Sequence, residues 1–175
     1  MVREPFAARA VPRLSCPAVP RLDSSLIEVY VFRRRGRRTE FLLLRRGPAN
    51  SLAGVWQPVT GGLHAGEWTV RGALRELREE TGLRPQRLWR LETVTAWFDP
   101  RHDAVRVVIL FAAEVGARDV VRLSGEHTVH RFVSAREAAK RFLWDTQRRG
   151  LAAVRRQVLG GGPRDRKSTR LNSSH

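Results

Sequence analysis

The chain has 175 residues, enough for one domain, and 42% of them are hydrophobic, which allows a buried core. The single cysteine, Cys16, excludes a disulfide within the chain and fits a reducing cytoplasm, and no apolar stretch is long enough to span a bilayer. The formal net charge of +16 invites a nucleic-acid partner, but the basic residues are spread along the whole chain, which argues against one.

Both ends of the chain look like additions to a domain expected at residues 25–159. Residues 1–24 are rich in Pro, Ala and Arg without periodicity, which predicts a disordered extension or a misplaced start. Residues 160–175 begin with a glycine run, and residues 165–175 resemble translated sequencing-adapter read-through. We expect this tail to be disordered and non-native.

The first half of the domain reads as strands. Leu26–Arg33 and Glu40–Arg45 are β-rich runs that predict a hairpin. The densest basic cluster, residues 33–38, lies on its turn, where a solvated turn and a phosphate-contacting turn both remain open. Trp56–Val59 predicts a short strand that enters a glycine pair.

The second half of the domain predicts another hairpin, from Leu88–Phe98 and Val105–Glu114, with a turn rich in Asp and Pro. Thr128–Val133 predicts a further strand. Leu151, Val154 and Val158 predict an amphipathic C-terminal helix that has Trp144 near its start.

Between the hairpins, a helix is predicted over Thr69–Thr81. Its apolar positions follow the 3.6-residue period: Val70, Ala73, Leu74, Leu77 and Thr81. Gly82 is the expected helix stop, since glycine tolerates positive φ. Gly72 lies on the other face, where glycine costs about 1 kcal/mol against alanine. A close approach by a ligand or a loop would explain it.

Three carboxylates share that other face: Glu76, Glu79 and Glu80. Like charges at this spacing repel. A bound divalent cation makes the arrangement favourable, because Mg²⁺ and Mn²⁺ prefer carboxylate oxygens. Arg75 lies four residues before Glu79 and can hold that carboxylate. The alternative is an ordinary solvated helix face with Arg–Glu pairs.

The spacing of nine positions decides between these alternatives. From Gly61 to Leu83 the chain matches the pattern G-x5-E-x7-R-E-U-x-E-E-x-G-U, where U is aliphatic, and so resembles a complete Nudix box. The matching residues are Gly61, Glu67, Arg75, Glu76, Leu77, Glu79, Glu80, Gly82 and Leu83.

This resemblance implies an α/β fold, an α/β/α sandwich around a mixed β-sheet. It implies a diphosphohydrolase that cleaves a nucleoside diphosphate linked to another group with Mg²⁺ or Mn²⁺ as cofactor. The implied metal ligands are Glu76, Glu79 and Glu80. Glu67 would be an accessory ligand or act through water, and Arg75 would orient its neighbours. A homodimer is a family expectation.

The flanks resemble bacterial dihydroneopterin triphosphate diphosphatases of folate biosynthesis, which also act on dATP. The residues that carry this likeness are Trp56, Gln57, Pro58, Val59, Thr60, Gly61 and Gly62 before the helix, and Gly125, Glu126, His127 and Trp144 after it. By this similarity Trp56, Gln57, Thr60, Gly61 and Gly62 would bind substrate. Glu126 would be a further metal ligand or the base that activates water, a role for which Glu79 is the other candidate.

Two weaker features remain. Trp97 and Phe98 could stack on a ring of the substrate or pack on the sheet, and both interpretations stay open. His64, His127 and His130 show no metal-ligand spacing as a set, although His127 adjoins Glu126.

The function expected is release of a monophosphate and pyrophosphate from a small, nucleotide-like polyphosphate. The alternatives are another Nudix substrate class (diadenosine polyphosphate, ADP-ribose, an oxidised nucleotide or an RNA 5′ end) and a non-catalytic binding module.

Overall fold

The structure, a computed structural model, describes residues 19–160. Its strands are β1 (Arg21–Arg35), β2 (Arg38–Arg46), β3 (Trp56–Gln57), β4 (Val59–Gly62), β5 (Arg87–Asp99), β6 (Ala104–Val115) and β7 (His127–Val133). Its helices are α1 (Thr69–Thr81), α2 (Ala135–Arg141) and α3 (Asp145–Val154), and a π-helical turn, Arg155–Leu159, continues α3.

One mixed sheet holds all seven of these strands, in the order β3-β2-β1-β6-β5, with β4 on β1 and β7 on β2. Strand β1 is central and runs parallel to β6, while the other pairs are antiparallel. The β1–β2 hairpin turns at Gly36, whose φ of 59° suits glycine. Both predicted hairpins are therefore confirmed.

Two apolar layers enclose the sheet. On one face Ile27, Val29 and Val31 pack with Ala73 and Leu77 of α1. On the other face Tyr30, Phe32 and Leu110 pack with residues of α2 and α3, including Leu151 and Val154. Alternate residues of β1 thus serve opposite layers, as strand geometry requires. The α/β/α sandwich around a mixed sheet is confirmed.

Strands β3 and β4 carry the chain from the sheet to α1. The predicted strand Trp56–Val59 is divided at Pro58, because proline has no N–H to donate to a ladder. Gln57 pairs with Leu44 of β2, whereas Val59 pairs with Val29 of β1. This change of partner places Thr60, Gly61 and Gly62 beside the start of α1.

Two features differ from the expectations. Strand β1 begins at Arg21, inside the segment 1–24 that was predicted to be disordered, because Arg21 and Leu22 pair with Ala104 and Val105 of β6. Helix α2 was not predicted, although Ser134 caps it by accepting from the Glu137 N–H. The expectations for residues 1–18 and 161–175 lie outside the described residues. Within residues 19–160, no helix could cross a membrane.

Candidate metal and phosphate site

Helix α1 extends over the predicted range, Thr69–Thr81. Ala73, Leu77 and Thr81 are buried against the sheet, and Gly82 ends the helix in the left-handed conformation, with φ 69°. The apolar stripe therefore fixes how the helix is rotated about its axis. The acidic residues are turned toward β4 and the loop that precedes the helix.

Gly61 gives Glu76 its place. A Cβ atom at Gly61 would lie 2.0 Å from the Glu76 carboxyl carbon, so only a glycine leaves room for this side chain. The next residue, Gly62, would have no atom within 4 Å of its Cβ. The first glycine of the pair is therefore required by a contact with the acidic helix face, and the second is not.

Arg75 ties the acidic residues together. Its Nε and Nη2 donate to the two oxygens of Glu67 at 2.9 and 2.8 Å, and its Nη1 donates to Glu76 at 2.8 Å and Glu79 at 3.1 Å. Its Nη2 also donates to the Gly62 carbonyl at 2.8 Å. The predicted Arg75–Glu79 pair is present, but Glu67 is the bidentate partner.

The Glu67 carboxylate closes the loop before the helix. Besides Arg75, it accepts from the His64 N–H at 3.0 Å, and these bonds lower its pKa to about 2. Glu67 raises the pKa of Arg75 in turn. A Cβ at Gly72 would meet Leu63 at 2.4 Å and Glu67 at 3.1 Å. Loop residues, then, are what approaches the helix at Gly72.

Glu80 is a buried acid, only 4% exposed. Burial, and next the nearby charge of Glu76, raise its pKa to about 8, while a hydrogen bond from the Thr60 N–H opposes the shift. Its Oε2 has no hydrogen-bond partner among the described residues and lies 3.9 Å from Nδ1 of His127. A buried carboxyl with one oxygen unpartnered is a position that a cation would stabilise.

His127 and Gln57 form the wall behind Glu80. His127 is 5% exposed, and burial lowers the pKa of its imidazole. Its Nε2 lies 3.3 Å from the Gln57 amide nitrogen, and the Gln57 carbonyl oxygen accepts from Arg46 at 3.3 Å. The predicted substrate residue Gln57 thus lies behind the acidic cluster. His127 lies between Gln57 and Glu80, which belongs to the cluster.

Glu126 lies in the loop just before β7. Its side chain is exposed, and its charge contributes to the raised pKa of Glu80. Its carbonyl accepts from the Gly47 N–H and from the Asn50 amide, each at 2.8 Å, which fixes the loop. The structure therefore brings Glu126 to the same cluster as Glu76 and Glu80.

Two of the other predicted substrate residues contact the acidic cluster and two do not. Thr60 donates its N–H to Glu80, and the Gly62 carbonyl accepts from Arg75. Trp56 packs on the opposite face of the sheet, with Arg141 and Arg131 5.4 and 5.9 Å from its ring centroid. Trp97 is 45% exposed on β5, three strands from Gly62, or roughly 15 Å at normal strand spacing. The structure does not bring Trp56 or Trp97 to the carboxylates.

The donor set fits a hard divalent cation in chemistry, although its side chains are not gathered as ligands. Within residues 19–160, no three acidic or histidine side chains stand at metal-binding distances from one another. Glu76 and Glu79 face Arg75 instead, and Glu80 is left with an unpartnered oxygen. All-oxygen donors around a buried carboxyl suit such an ion, and Glu80 is the residue that would hold it.

Arg46 is the site residue that sequence reasoning missed. It follows Arg45 in a chain with 33 basic residues, so composition gave it no distinction. Its position opposite His127 in the β2–β7 ladder depends on register, which the sequence alone does not provide.

Comparisons with known proteins show which family the chain resembles. A family model described as the NUDIX domain matches residues 25–154. The asymmetrical bis(5'-nucleosyl)-tetraphosphatase of Sus scrofa is 35% identical over 123 residues, which cover 63% of this chain and 78% of that protein.

Two further similarities differ in extent. An octanoyltransferase of Myxococcus xanthus is 47% identical over only 58 residues, so the chain spans 16% of that protein. The solved structure of the E. coli dihydroneopterin triphosphate pyrophosphohydrolase superposes with a TM-score of 0.61 at 18% identity, over 79% of this chain and 99% of that one. At this identity the likeness shows the fold alone.

Proposed function

The chain belongs to the Nudix hydrolase family, whose members generally use divalent metal ions, and we propose that it hydrolyses a phosphoanhydride of a nucleoside-triphosphate-like substrate with Mg²⁺ at Glu76, Glu79 and Glu80. Mn²⁺ would serve as well. The observation that carries the proposal is Glu80, a buried carboxyl with an unpartnered oxygen in the acidic cluster of α1.

Each residue has a distinct part in this proposal. Bound Mg²⁺ supplies a Lewis acid that neutralises phosphate charge and acidifies water. Arg75 holds Glu67, Glu76 and Glu79 in position, and the Thr60 N–H holds Glu80. Glu67, whose oxygens are both bound to Arg75, would reach a bound metal only through a water molecule.

Glu126 takes the proton of the attacking water as its general base, with Glu79 as the alternative. Both are exposed carboxylates beside Glu80. Water oxygen adds to phosphorus, the bridging P–O bond breaks, and the proton leaves on the base. The products are a monophosphate and pyrophosphate.

Dihydroneopterin triphosphate or dATP is the first candidate substrate. It is supported by the segment from Trp56 to Gly62, by Glu126 and His127, and by Trp144 at the start of α3. The shared fold of the E. coli dihydroneopterin triphosphate pyrophosphohydrolase is compatible with it. Folate biosynthesis and a cytoplasmic location go with this candidate and remain predictions.

A dinucleoside tetraphosphate is the second candidate. The relative from Sus scrofa is named for this activity and shares 35% of 123 aligned residues. Both candidates use the same cluster, because each presents a phosphoanhydride to the metal. They differ in what lies beyond the phosphates.

A hydrolysis screen that resolves the products tests the proposal. It would contain dihydroneopterin triphosphate, dATP, an oxidised nucleotide, a diadenosine tetraphosphate, ADP-ribose and 5′-triphosphate RNA, each with and without Mg²⁺. We expect turnover of dihydroneopterin triphosphate or dATP with release of pyrophosphate. Preference for the diadenosine compound would replace the first candidate by the second, and no metal-dependent turnover of any compound would contradict the proposal.

A further inference from the structure

The site contains two arginines, and only one of them has donors left for a substrate. Arginine has five N–H groups. Arg75 uses all five on Glu67, Glu76, Glu79 and the Gly62 carbonyl. Arg75 is therefore saturated by the protein and has no N–H to offer a phosphate.

Arg46 is in the opposite situation. Its Nε donates to the Ser51 carbonyl at 2.8 Å and its Nη1 donates to Gln57 at 3.3 Å. Three of its five N–H groups therefore have no acceptor among residues 19–160, and in the same part of the chain it forms no ion pair with a carboxylate.

Backbone hydrogen bonds hold Arg46 at the end of β2, facing the acidic cluster. Its N–H donates to the Val55 carbonyl and its carbonyl accepts from the Gly54 N–H, each at 3.0 Å. It is paired with His127 in the β2–β7 ladder. Its charge is close enough to lower the pKa of both Glu80 and His127, as a smaller contribution than burial in each case.

We propose that Arg46 binds a non-bridging phosphate oxygen of the substrate, with the phosphate held between Arg46 and the cation at Glu80. A guanidinium with two adjacent free N–H groups matches the geometry of a phosphate. Ser51 and Gln57 fix the side chain before the substrate arrives, so that little entropy is lost on binding. This inference rests on the proposed function for the identity of the ligand.

The competing explanation is that Arg46 only orients Gln57, and through it His127 and Glu80. The two explanations predict different cation affinities in the absence of phosphate. If Arg46 supports Glu80, its removal should weaken cation binding. If Arg46 binds phosphate instead, its removal should leave cation binding unchanged or make it tighter.

Calorimetry on the full chain with Mg²⁺ pyrophosphate, and separately with Mn²⁺ alone, separates these explanations. In Arg46→Gln we expect pyrophosphate to bind about tenfold to a hundredfold more weakly, the loss typical of a charge-assisted hydrogen bond. Mn²⁺ alone should bind within twofold of the wild-type affinity or more tightly. Arg46→Lys should recover part of the pyrophosphate binding, because lysine keeps the charge but lacks the paired N–H donors of the guanidinium.

Arg45→Gln is the matched control. Arg45 is the exposed neighbour in the same strand, and it lies opposite Trp56, on the other face of the sheet. Both affinities should remain at wild-type values in this variant, and circular dichroism should show the same fold in all three.

Four results would overturn the inference. They are unchanged pyrophosphate affinity in Arg46→Gln, a parallel loss of Mn²⁺ affinity, an equal effect of Arg45→Gln, and no measurable pyrophosphate binding by the wild-type chain. Turnover separates this inference from the proposed function. Hydrolysis with an unchanged KM in Arg46→Gln would contradict only the role of Arg46. Pyrophosphate binding through Arg46 without any hydrolysis would contradict only the function.

Discussion

Among single residues, Gly61 connects the sheet to the acidic cluster most directly. A side chain there would overlap the Glu76 carboxyl, which lies 2.0 Å from the position of a Cβ. Glu76 is flexible and can rotate away, so Gly61→Ala should cost little stability and much activity. We expect turnover to fall at least about tenfold, because 1 Å displacements of site groups have effects of this size or larger.

Gly62→Ala is the comparison for this change. Its Cβ would meet no atom within 4 Å, so any loss of turnover in that variant comes from its predicted contact with substrate and not from Glu76. Steady-state hydrolysis and thermal unfolding of both variants decide the matter. Equal activity of the two variants would show that Glu76 does not need the space above Gly61.

Glu28 is a buried acid outside the cluster. It lies on β1, is 7% exposed, and accepts from the Tyr30 hydroxyl at 2.6 Å. Burial raises its pKa to about 7, from a usual value of 4.5. Because the pKa is higher in the folded chain, this group stabilises the fold fully below pH 4.5, and the contribution is lost as the pH rises through 7.

Glu28→Gln should remove this pH dependence, because the amide stays neutral. Relative to wild type, the free energy of unfolding of the variant should rise by up to about 3 kcal/mol between pH 5 and pH 8. Urea unfolding at the two pH values measures this. Glu137→Gln, which changes a partly exposed acid of α2, should show no such change. Parallel curves for wild type and Glu28→Gln would refute the prediction.

The sequence predicted which acids share a face of α1 but not their hydrogen-bond partners. Helical spacing predicted that Glu76, Glu79 and Glu80 share a face, and that Arg75 reaches Glu79. The bidentate contact between Arg75 and Glu67 crosses a loop, so no period reveals it. The burial of Glu80 was equally hidden, because it depends on His127 from a distant strand.

Among the elements, α1 could be predicted to its ends, whereas α2 could not. A strong 3.6-residue stripe and Gly82 defined α1. Helix α2 has only seven residues, too few to establish a period. Ser134 and Glu137 do have the spacing of a capping box, which was the available signal. The predicted strand Trp56–Val59 is divided by Pro58. This could have been predicted, because proline has no backbone N–H to donate within a sheet.

Helix α3 is held to β1 by a close contact at Gly150. A Cβ there would lie 2.1 Å from the Tyr30 hydroxyl oxygen, which also lies 3.1 Å from the Gln147 carbonyl oxygen. Alanine is the better helix former, by about 1 kcal/mol, but the buried ring cannot move aside. We expect Gly150→Ala to destabilise the fold by about 1–3 kcal/mol.

Denaturant unfolding measures this cost. Arg149→Ala changes an exposed neighbour in the same helix, so it should stay within about 0.5 kcal/mol of wild type. If Gly150→Ala were more stable than wild type, helix propensity would outweigh the contact with Tyr30.

For the whole molecule, the charge of +16 should act on a polyphosphate before it reaches the site. A positive field speeds the encounter with an anion, and salt screens it beyond about 8 Å at physiological ionic strength. We expect kcat/KM to fall several-fold between 50 and 300 mM NaCl. The fall should come mostly from KM, since the bound phosphates are shielded from bulk salt.

Initial rates across that range of salt, at fixed free Mg²⁺, measure this effect. A kcat/KM that does not change with salt would show that the arginines act locally, and a fall in kcat alone would place the effect on the chemical step.

In the proposed function, hydrolysis depends on a cation held by Glu80. The most direct test measures Mn²⁺ binding and hydrolysis of the best substrate from the screen in Glu80→Gln, with Glu137→Gln as control. We predict that Glu80→Gln loses at least about a hundredfold in turnover and binds Mn²⁺ more weakly, yet unfolds at an equal or higher temperature, because a buried acid has been removed. The control should match wild type. Unchanged turnover and Mn²⁺ affinity in Glu80→Gln would show that Glu80 does not hold the cation.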